Sequence, residues 1–266
     1  MKIGTLDGVL AGKNKTPWEG LYPMARRLGF EGLELGVGGD YDKTQLWSKE
    51  GRAKLLQCSR ETGVATCSIC LHSYWTYSFA NPDAAVRSRA AAIAREAAAA
   101  AAALGAANIL IPLTDAKGVD DATCRDRWIE GMRSCASAAE SEGVVFCLEN
   151  VSRHYANEHK DVLAIVAGID SPAVQIYFDP ANSLYAGLDP LPAIPLFAGR
   201  IRQLHVKDVR DGKAAHLGEG LVPWPKVLAG LAAIRYDGWL VLETESDGDP
   251  EGSARKNLAT LKKLIG

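Results

Sequence analysis

Three carboxylates and one imidazole stand at regular intervals in the second half of the chain, each at the end of a short β-like run. Glu149 follows Cys147-Leu148, Asp179 follows Tyr177-Phe178, His205 lies in Leu204-His205-Val206, and Glu243 follows Leu242. The separations, 30, 26 and 38 residues, each approximate one strand plus one helix. Side chains repeated at that interval converge when the runs are parallel neighbours read at the same end. Left alone, three converging carboxylates repel one another and raise their pKa values; a divalent cation removes that cost. The alternative for any one acid is a loop carboxylate capping the next helix, but four groups in register favour a metal site. Hard oxygen donors with one nitrogen favour a single Mn²⁺, Mg²⁺ or Co²⁺ in open six-coordination, with Zn²⁺ still admissible.

Such convergence needs parallel strands, and the chain alternates strand-like and helix-like runs from end to end. β-like runs occupy 2–6, 32–35, 65–71, 108–112, 144–148, 174–178, 201–206 and 239–242, and helix-like runs 18–28, 43–62, 82–104, 121–142, 158–168, 190–198, 224–234 and 250–264. Gly or Asp punctuates many handovers, as in Leu28-Gly29, Glu142-Gly143 and Tyr236-Asp237-Gly238. Strict alternation requires parallel pairing with crossovers, which leaves a doubly wound sheet or a closed barrel. Eight units favour the barrel, and Asp7-Gly8-Val9-Leu10-Ala11-Gly12-Lys13 after the first run fits neither dinucleotide nor P-loop pattern. The expected fold is α/β, a single (β/α)8 TIM barrel over residues 1–266, with no linker to mark a second domain. Chemistry then belongs at the C-terminal ends of the strands.

Composition narrows the function. With 30 basic and 32 acidic residues among 266, a net charge of -2 and no basic run longer than two, the chain lacks the footprint of a nucleic-acid binder. Its 47% hydrophobic and 23% charged residues suit a globular protein with a sizeable core. The alanine-rich stretch 90–107, interrupted by Arg95 and Glu96, falls short of a membrane span. An acid at Asp7 breaks the apolar stretch a signal peptide would need, so the cytoplasm is expected. The six cysteines, at 58, 67, 70, 124, 135 and 147, read as reduced thiols. Cys67 and Cys70 form a C-x-x-C, but on a strand they point to opposite faces, as core residues rather than a redox or zinc pair.

The motifs Leu148-Glu149-Asn150, Phe178-Asp179-Pro180-Ala181-Asn182, His205-Val206-Lys207-Asp208, His216-Leu217-Gly218-Glu219-Gly220 and Leu242-Glu243-Thr244 carry a resemblance that extends over essentially the whole chain. The sequence resembles the xylose-isomerase-like barrel proteins, comprising ketose and ketose-phosphate epimerases and isomerases with their apurinic-endonuclease relatives. The resemblance implies Glu149, Asp179, His205 and Glu243 as ligands of one metal ion, a small carbohydrate substrate, and a homo-oligomer, dimer or tetramer. It also implies Glu149 and Glu243 as the acid/base pair of a sugar epimerase or isomerase. A cation that stabilises an enediolate makes proton removal beside a ketose carbonyl feasible. Return of the proton to the opposite face gives an epimer, and return to the neighbouring carbon an aldose; glutamates on the fifth and eighth strands make epimerisation the simpler geometry. A dehydratase of the inosose dehydratase type and a non-catalytic barrel subunit are the alternatives. The endonuclease motif departs from this chain: only five histidines are present, Asn182 stands where a ligand is needed, and Ala214-Ala215-His216 lacks its Asp-x-His.

Further polar residues near strand ends are candidates for holding substrate. Asn182 can hydrogen-bond a hydroxyl or form a turn. Lys207 shares a side of its strand with His205 and can pair with a site carboxylate or lie solvated on the rim. Arg210 can meet a substrate oxygen or phosphate, and His216 can line the site beside its glycine-rich loop. Glu34 and His72, at the ends of the second and third strands, and His154, after the fifth, can reach sugar hydroxyls. His159 is expected at the surface. Tyr74, Trp75 and Tyr77 can stack on a sugar face or pack in the core.

Overall fold

A computed structural model describes residues 1–12, 16–151, 154–246 and 248–266. Eight parallel strands, β1 (Lys2–Leu6), β2 (Gly32–Gly36), β3 (Ala65–Cys70), β4 (Asn108–Pro112), β5 (Val145–Glu149), β6 (Val174–Phe178), β7 (Ile201–Val206) and β10 (Trp239–Leu242), close into a barrel in the order β1-β10-β7-β6-β5-β4-β3-β2. Five have the expected bounds, β2 and β3 differ by one residue at one end, and β5 is shifted by one residue at both ends. The strands are buried along almost their whole length, β4 at every residue, as strands covered on both faces must be. Pro112 and Tyr177 stand opposite Glu149 in the two ladders of β5, which fixes the height of that carboxylate at the strand's C-terminal end. Gly32 lets the wall close: a Cβ there would meet the Trp239 ring at 2.7 Å.

Two compact units divide the chain, one of Met1–Leu35, Lys54–Cys67 and Phe178–Gly266, the other of Gly36–Ala53 and Ser68–Tyr177. The first holds the helices α1 (Asp7–Ala11), α2 (Trp18–Leu28), α7 (Pro180–Tyr185), α8 (Ala193–Leu196), α9 (Trp224–Ala233) and α10 (Pro250–Ile265). The second holds α4 (Ala84–Leu104), α5 (Asp121–Glu142) and α6 (His159–Ile169), while α3 (Lys49–Thr62) begins in the second and runs into the first. The alanine-rich run becomes α4, whose Ala90, Ala94, Ala97, Ala98 and Ala101 are buried. Asp83 and Asp120 cap α4 and α5 by accepting from Ala85 N and Thr123 N, each contributing about 1 kcal/mol. Tyr74 belongs to this unit's core: it stacks on Trp128 at 5.8 Å and donates to Ala90 O at 2.8 Å, so it is not available to a sugar. Trp75 is exposed, and Tyr77 meets Tyr41 edge to face.

Elsewhere the expected helices are shorter. Residues 43–62 do not form one helix; Tyr41–Lys43 and Gln45–Trp47 are 3₁₀ turns, and α3 starts only after Ser48, whose hydroxyl accepts from Gly51 N at 2.9 Å. In 190–198 only Ala193–Leu196 is helical, because three prolines, at 190, 192 and 195, remove amide donors from so short a segment. A hairpin absent from the sequence reading follows β7: β8 (Asp208–Arg210) pairs antiparallel with β9 (Lys213–Ala215) around Asp211 and Gly212, both at positive φ. Among the described residues no helix is long and apolar enough to cross a membrane.

None of the six cysteines is in a disulfide; five are buried and Cys58 is half-buried. Cys67 Sγ lies beside Gly4, whereas Cys70 Sγ lies 3.5 Å from the His72 ring, as expected of opposite strand faces. Burial pushes the Cys135 thiol up, and burial together with Glu19 and Glu61 raises Cys58. Iodoacetamide at neutral pH is therefore expected to label Cys58 alone and slowly in the native protein, and all six in denaturant. Peptide mapping that finds rapid labelling of Cys67 or Cys70 would contradict this packing.

Candidate metal centre

The centre is built outward from His205. On β7, Gln203 and His205 are two residues apart and share a face, and both are buried. His205 Nε2 lies 2.8 Å from Glu34 Oε1, and Gln203 Nε2 donates to Glu34 Oε2 at 3.4 Å. Glu34, expected to hold a sugar hydroxyl, is instead 0% exposed with both oxygens turned toward β7 side chains. It orients the imidazole, so that Nδ1 faces the site, 3.0 Å from Glu243 Oε2.

Asp179 is a helix cap that also belongs to the four-residue cluster. It is the N-cap of α7, where its Oδ1 accepts from Ala181 N at 2.8 Å and Asn182 N at 3.0 Å, and Pro180 fixes the first helical φ. Its Oδ2 lies 2.6 Å from Lys207 Nζ. Glu243 follows β10 and is pinned by its amide, which donates to Val206 O at 3.1 Å. Burial alone would raise its carboxyl, but the His205 imidazole and the Lys207 ammonium hold it well below the usual carboxylate range. Lys207 Nζ lies 2.7 Å from Glu243 Oε2.

Glu149, Asp179, His205 and Glu243 each present one donor atom, and these atoms lie within 4.8 Å of one another. The first three residues are buried and Glu243 is partly accessible. The donor set fits one divalent cation: three carboxylates more than offset its charge, the imidazole is braced by a carboxylate behind it, and the burial strengthens each contact.

The other expected residues separate into groups. Asn182 is half-buried on the first turn of α7 and gives its amide to Asp179. Arg210 and His216 line a cavity of about 620 Å³ with Lys213, Glu219, Glu245 and Lys256. His72 is half-buried against Cys70, His154 is exposed in a turn before α6, and His159 is partly exposed at the start of α6.

Two buried side chains that sequence reasoning passed over organise the loop after β7. Asp208 accepts from Val209 N, Gly218 N and Val222 N at 2.9 to 3.0 Å, and a Cβ on Gly220 would collide with its Oδ1. Asn257 of α10 accepts from Leu217 N at 2.8 Å and donates to Thr244 Oγ1 at 3.1 Å, with His216 Nδ1 at 3.3 Å from the same oxygen that holds Leu217. A signal existed for Gln203, which shares the period-two face of His205; Asn257 reads only as one polar residue on an amphipathic helix. Asp208→Ala would leave three amides short of an acceptor and is expected to cost about 3 kcal/mol or more, seen as a lower urea midpoint with early proteolysis in 208–222. An unchanged midpoint would mean that water replaces the carboxylate.

Comparison with known proteins gives the same fold and a consistent family. L-ribulose-5-phosphate 3-epimerase UlaE of Escherichia coli (strain SMS-3-5 / SECEC) is 27% identical over 247 residues, covering 90% of this chain and 87% of that protein. The crystal structure of D-psicose 3-epimerase with D-tagatose from Clostridium cellulolyticum H10 superposes with a TM-score of 0.83 at 19% identity, covering 100% and 99% of the two chains. The probable 3-DHS dehydratase AsbF from Bacillus anthracis superposes with a TM-score of 0.79 at 15% identity, covering 98% and 99%. Likeness at these identities speaks for the barrel alone. Residues 23–264 match the model of the xylose isomerase-like TIM barrel, and the chain belongs to that family.

Proposed function

We propose that this chain is a divalent-metal-dependent epimerase of a ketose or ketose phosphate, with Glu149 and Glu243 as its proton-transfer pair and residues 1–266 as one catalytic domain. Its curated relatives are named epimerases, which places the enzyme in the isomerase class. The observation that carries the finer reading is the convergence of Glu149, Asp179, His205 and Glu243 within 4.8 Å. A divalent cation held there, Mn²⁺, Mg²⁺ or Co²⁺ by donor type, would polarise a ketose carbonyl and offset the charge left on the substrate when its neighbouring C–H gives up a proton. The residues of the chain do the rest. Glu149 ends β5 and Glu243 follows β10, with β6 and β7 between those strands in the ring. Carboxylates so separated suit removal of a proton from one face of a carbon and return to the other. Glu34 holds His205, the α7 amides hold Asp179, and Asn182 and Lys207 offer donors to substrate oxygens. Arg210 and His216 line the cavity at the β8–β9 hairpin, and their charge and hydrogen-bonding groups suit the far end of a longer or phosphorylated ketose.

The test is a metal-supplemented panel of ketoses and their phosphates turned over in deuterated water and read by NMR. Deuterium at the inverted carbon with an epimer as product supports the reading. Loss of water from the substrate, an aldose product, or binding without exchange would replace it with a dehydratase, an isomerase or a non-catalytic barrel respectively.

A further inference from the structure

The ammonium of Lys207 rests on the same oxygens that the metal reading requires, and this coincidence has a consequence for how the site takes up its ion. Oδ1 of Asp179 accepts from the amides of Ala181 and Asn182, and Lys207 Nζ is 2.6 Å from its Oδ2. Nε2 of His205 lies 2.8 Å from Glu34 Oε1, and the carboxylate oxygen beside its Nδ1 is Glu243 Oε2. Lys207 Nζ is 2.7 Å from that oxygen as well. A divalent ion bound to both oxygens would sit within about 4 Å of the ammonium, where like charges repel strongly in a water-poor site. The two cations therefore exclude each other from one position.

We propose that Lys207 is a tethered counter-cation: it neutralises Asp179 and Glu243 while the protein is metal-free, and it must be displaced for a divalent ion to enter. The inference rests on the metal reading of the preceding subsection. Lys207 is suited to the exchange by construction. It lies one residue past β7, on the side shared with His205, and its side chain is 19% exposed, so the head group has solvent to move into. The four-carbon stem lets a compact ammonium swing away without moving the strand. Measured metal affinity is then a difference: the ion's attraction to the carboxylates less the cost of parting Lys207 from them. Deleting the amine removes that cost and leaves the metal-free carboxylates facing each other uncompensated.

The experiment uses the full chain, stripped with chelator and titrated with Mn²⁺ alone, free Mn²⁺ being read by electron paramagnetic resonance and stability by thermal melts with and without the ion. Lys207→Met is expected to bind Mn²⁺ at least tenfold more tightly than wild type, with a lower Tm when stripped and a larger rise in Tm on loading. Lys207→Arg, which keeps the charge, is expected to show no such gain in affinity. If wild type binds Mn²⁺ and Lys207→Met binds it equally or more weakly, the counter-cation role is wrong while the metal site stands. If wild type takes up no Mn²⁺ at all, the metal reading falls first and this one with it. Should Lys207→Met fold only in the presence of Mn²⁺, the neutralising role is supported, and Lys207→Gln then supplies the affinity comparison.

Discussion

Glu149→Gln and Glu243→Gln are each expected to lower epimerisation by about a hundred- to ten-thousand-fold, the range contributed by a positioned general acid or base. The amide keeps the volume and the neutral hydrogen bonds of the glutamate but can neither take nor give the proton. In a two-base scheme the losses are not symmetrical between substrates. Each variant is expected to retain exchange of deuterium into the epimer whose proton faces the surviving glutamate, and to lose it from the other, with no inversion in either case. Both residues also belong to the four-donor cluster, so the comparison must be made at saturating Mn²⁺ with bound metal counted. Asp179→Asn is the control: it alters the cluster without touching either base and should affect both epimers alike. Equal exchange from both epimers in either glutamate variant would show that the residue replaced is not a base.

The fold was legible to the extent that it rests on periodicity. Short buried strands alternating with amphipathic or alanine-rich helices leave little else for the chain to form, and the bounds of β1, β4, β6, β7 and β10 follow from their apolar runs. Where backbone chemistry competed with that pattern, the pattern misled. Prolines within 190–198 denied it a full helix, Ser48 set the start of α3 by capping it, and Asp211-Gly212, a strong turn signal between two three-residue runs, made a hairpin that hydrophobic spacing could not suggest. In the site, strand ends expose ligand candidates to a reader of sequence because each follows a recognisable run, so Glu149, Asp179, His205 and Glu243 could be picked out together. What braces them is not marked in this way. Glu34 sits on β2, 171 residues from its histidine, and Asn257 sits 40 residues from the amide it holds. Such pairings arise from three-dimensional closure, and a single sequence carries no trace of them. Tyr74 shows the reverse error, an aromatic beside a candidate histidine that the core claims through Trp128 and Phe79.

Glu34→Gln is expected to weaken Mn²⁺ binding by about 10- to 100-fold while leaving the protein folded, the usual consequence of disturbing the group behind a metal-binding histidine. The amide oxygen can still accept from His205 Nε2, so the ring stays roughly in place, but the negative charge that makes the imidazole a better donor is gone. Glu34→Ala removes the acceptor as well. It leaves a fully buried imidazole facing a void without its hydrogen-bond partner and is expected to cost about 2–4 kcal/mol of stability, from the cavity and the unsatisfied ring nitrogen together. The pair of variants separates two roles for this carboxylate. A residue that held a sugar hydroxyl would raise KM on mutation and leave metal affinity where it was. A residue that acts through His205 does the opposite: at saturating Mn²⁺ the Glu34→Gln enzyme recovers most of its KM for substrate, and the deficit appears in the Mn²⁺ titration. The 2.8 Å contact with His205 and the absence of any exposed surface on Glu34 favour the second outcome. A Glu34→Gln protein with wild-type Mn²⁺ affinity and a raised KM would return Glu34 to the substrate and leave the orientation of His205 to Gln203 and the strand alone.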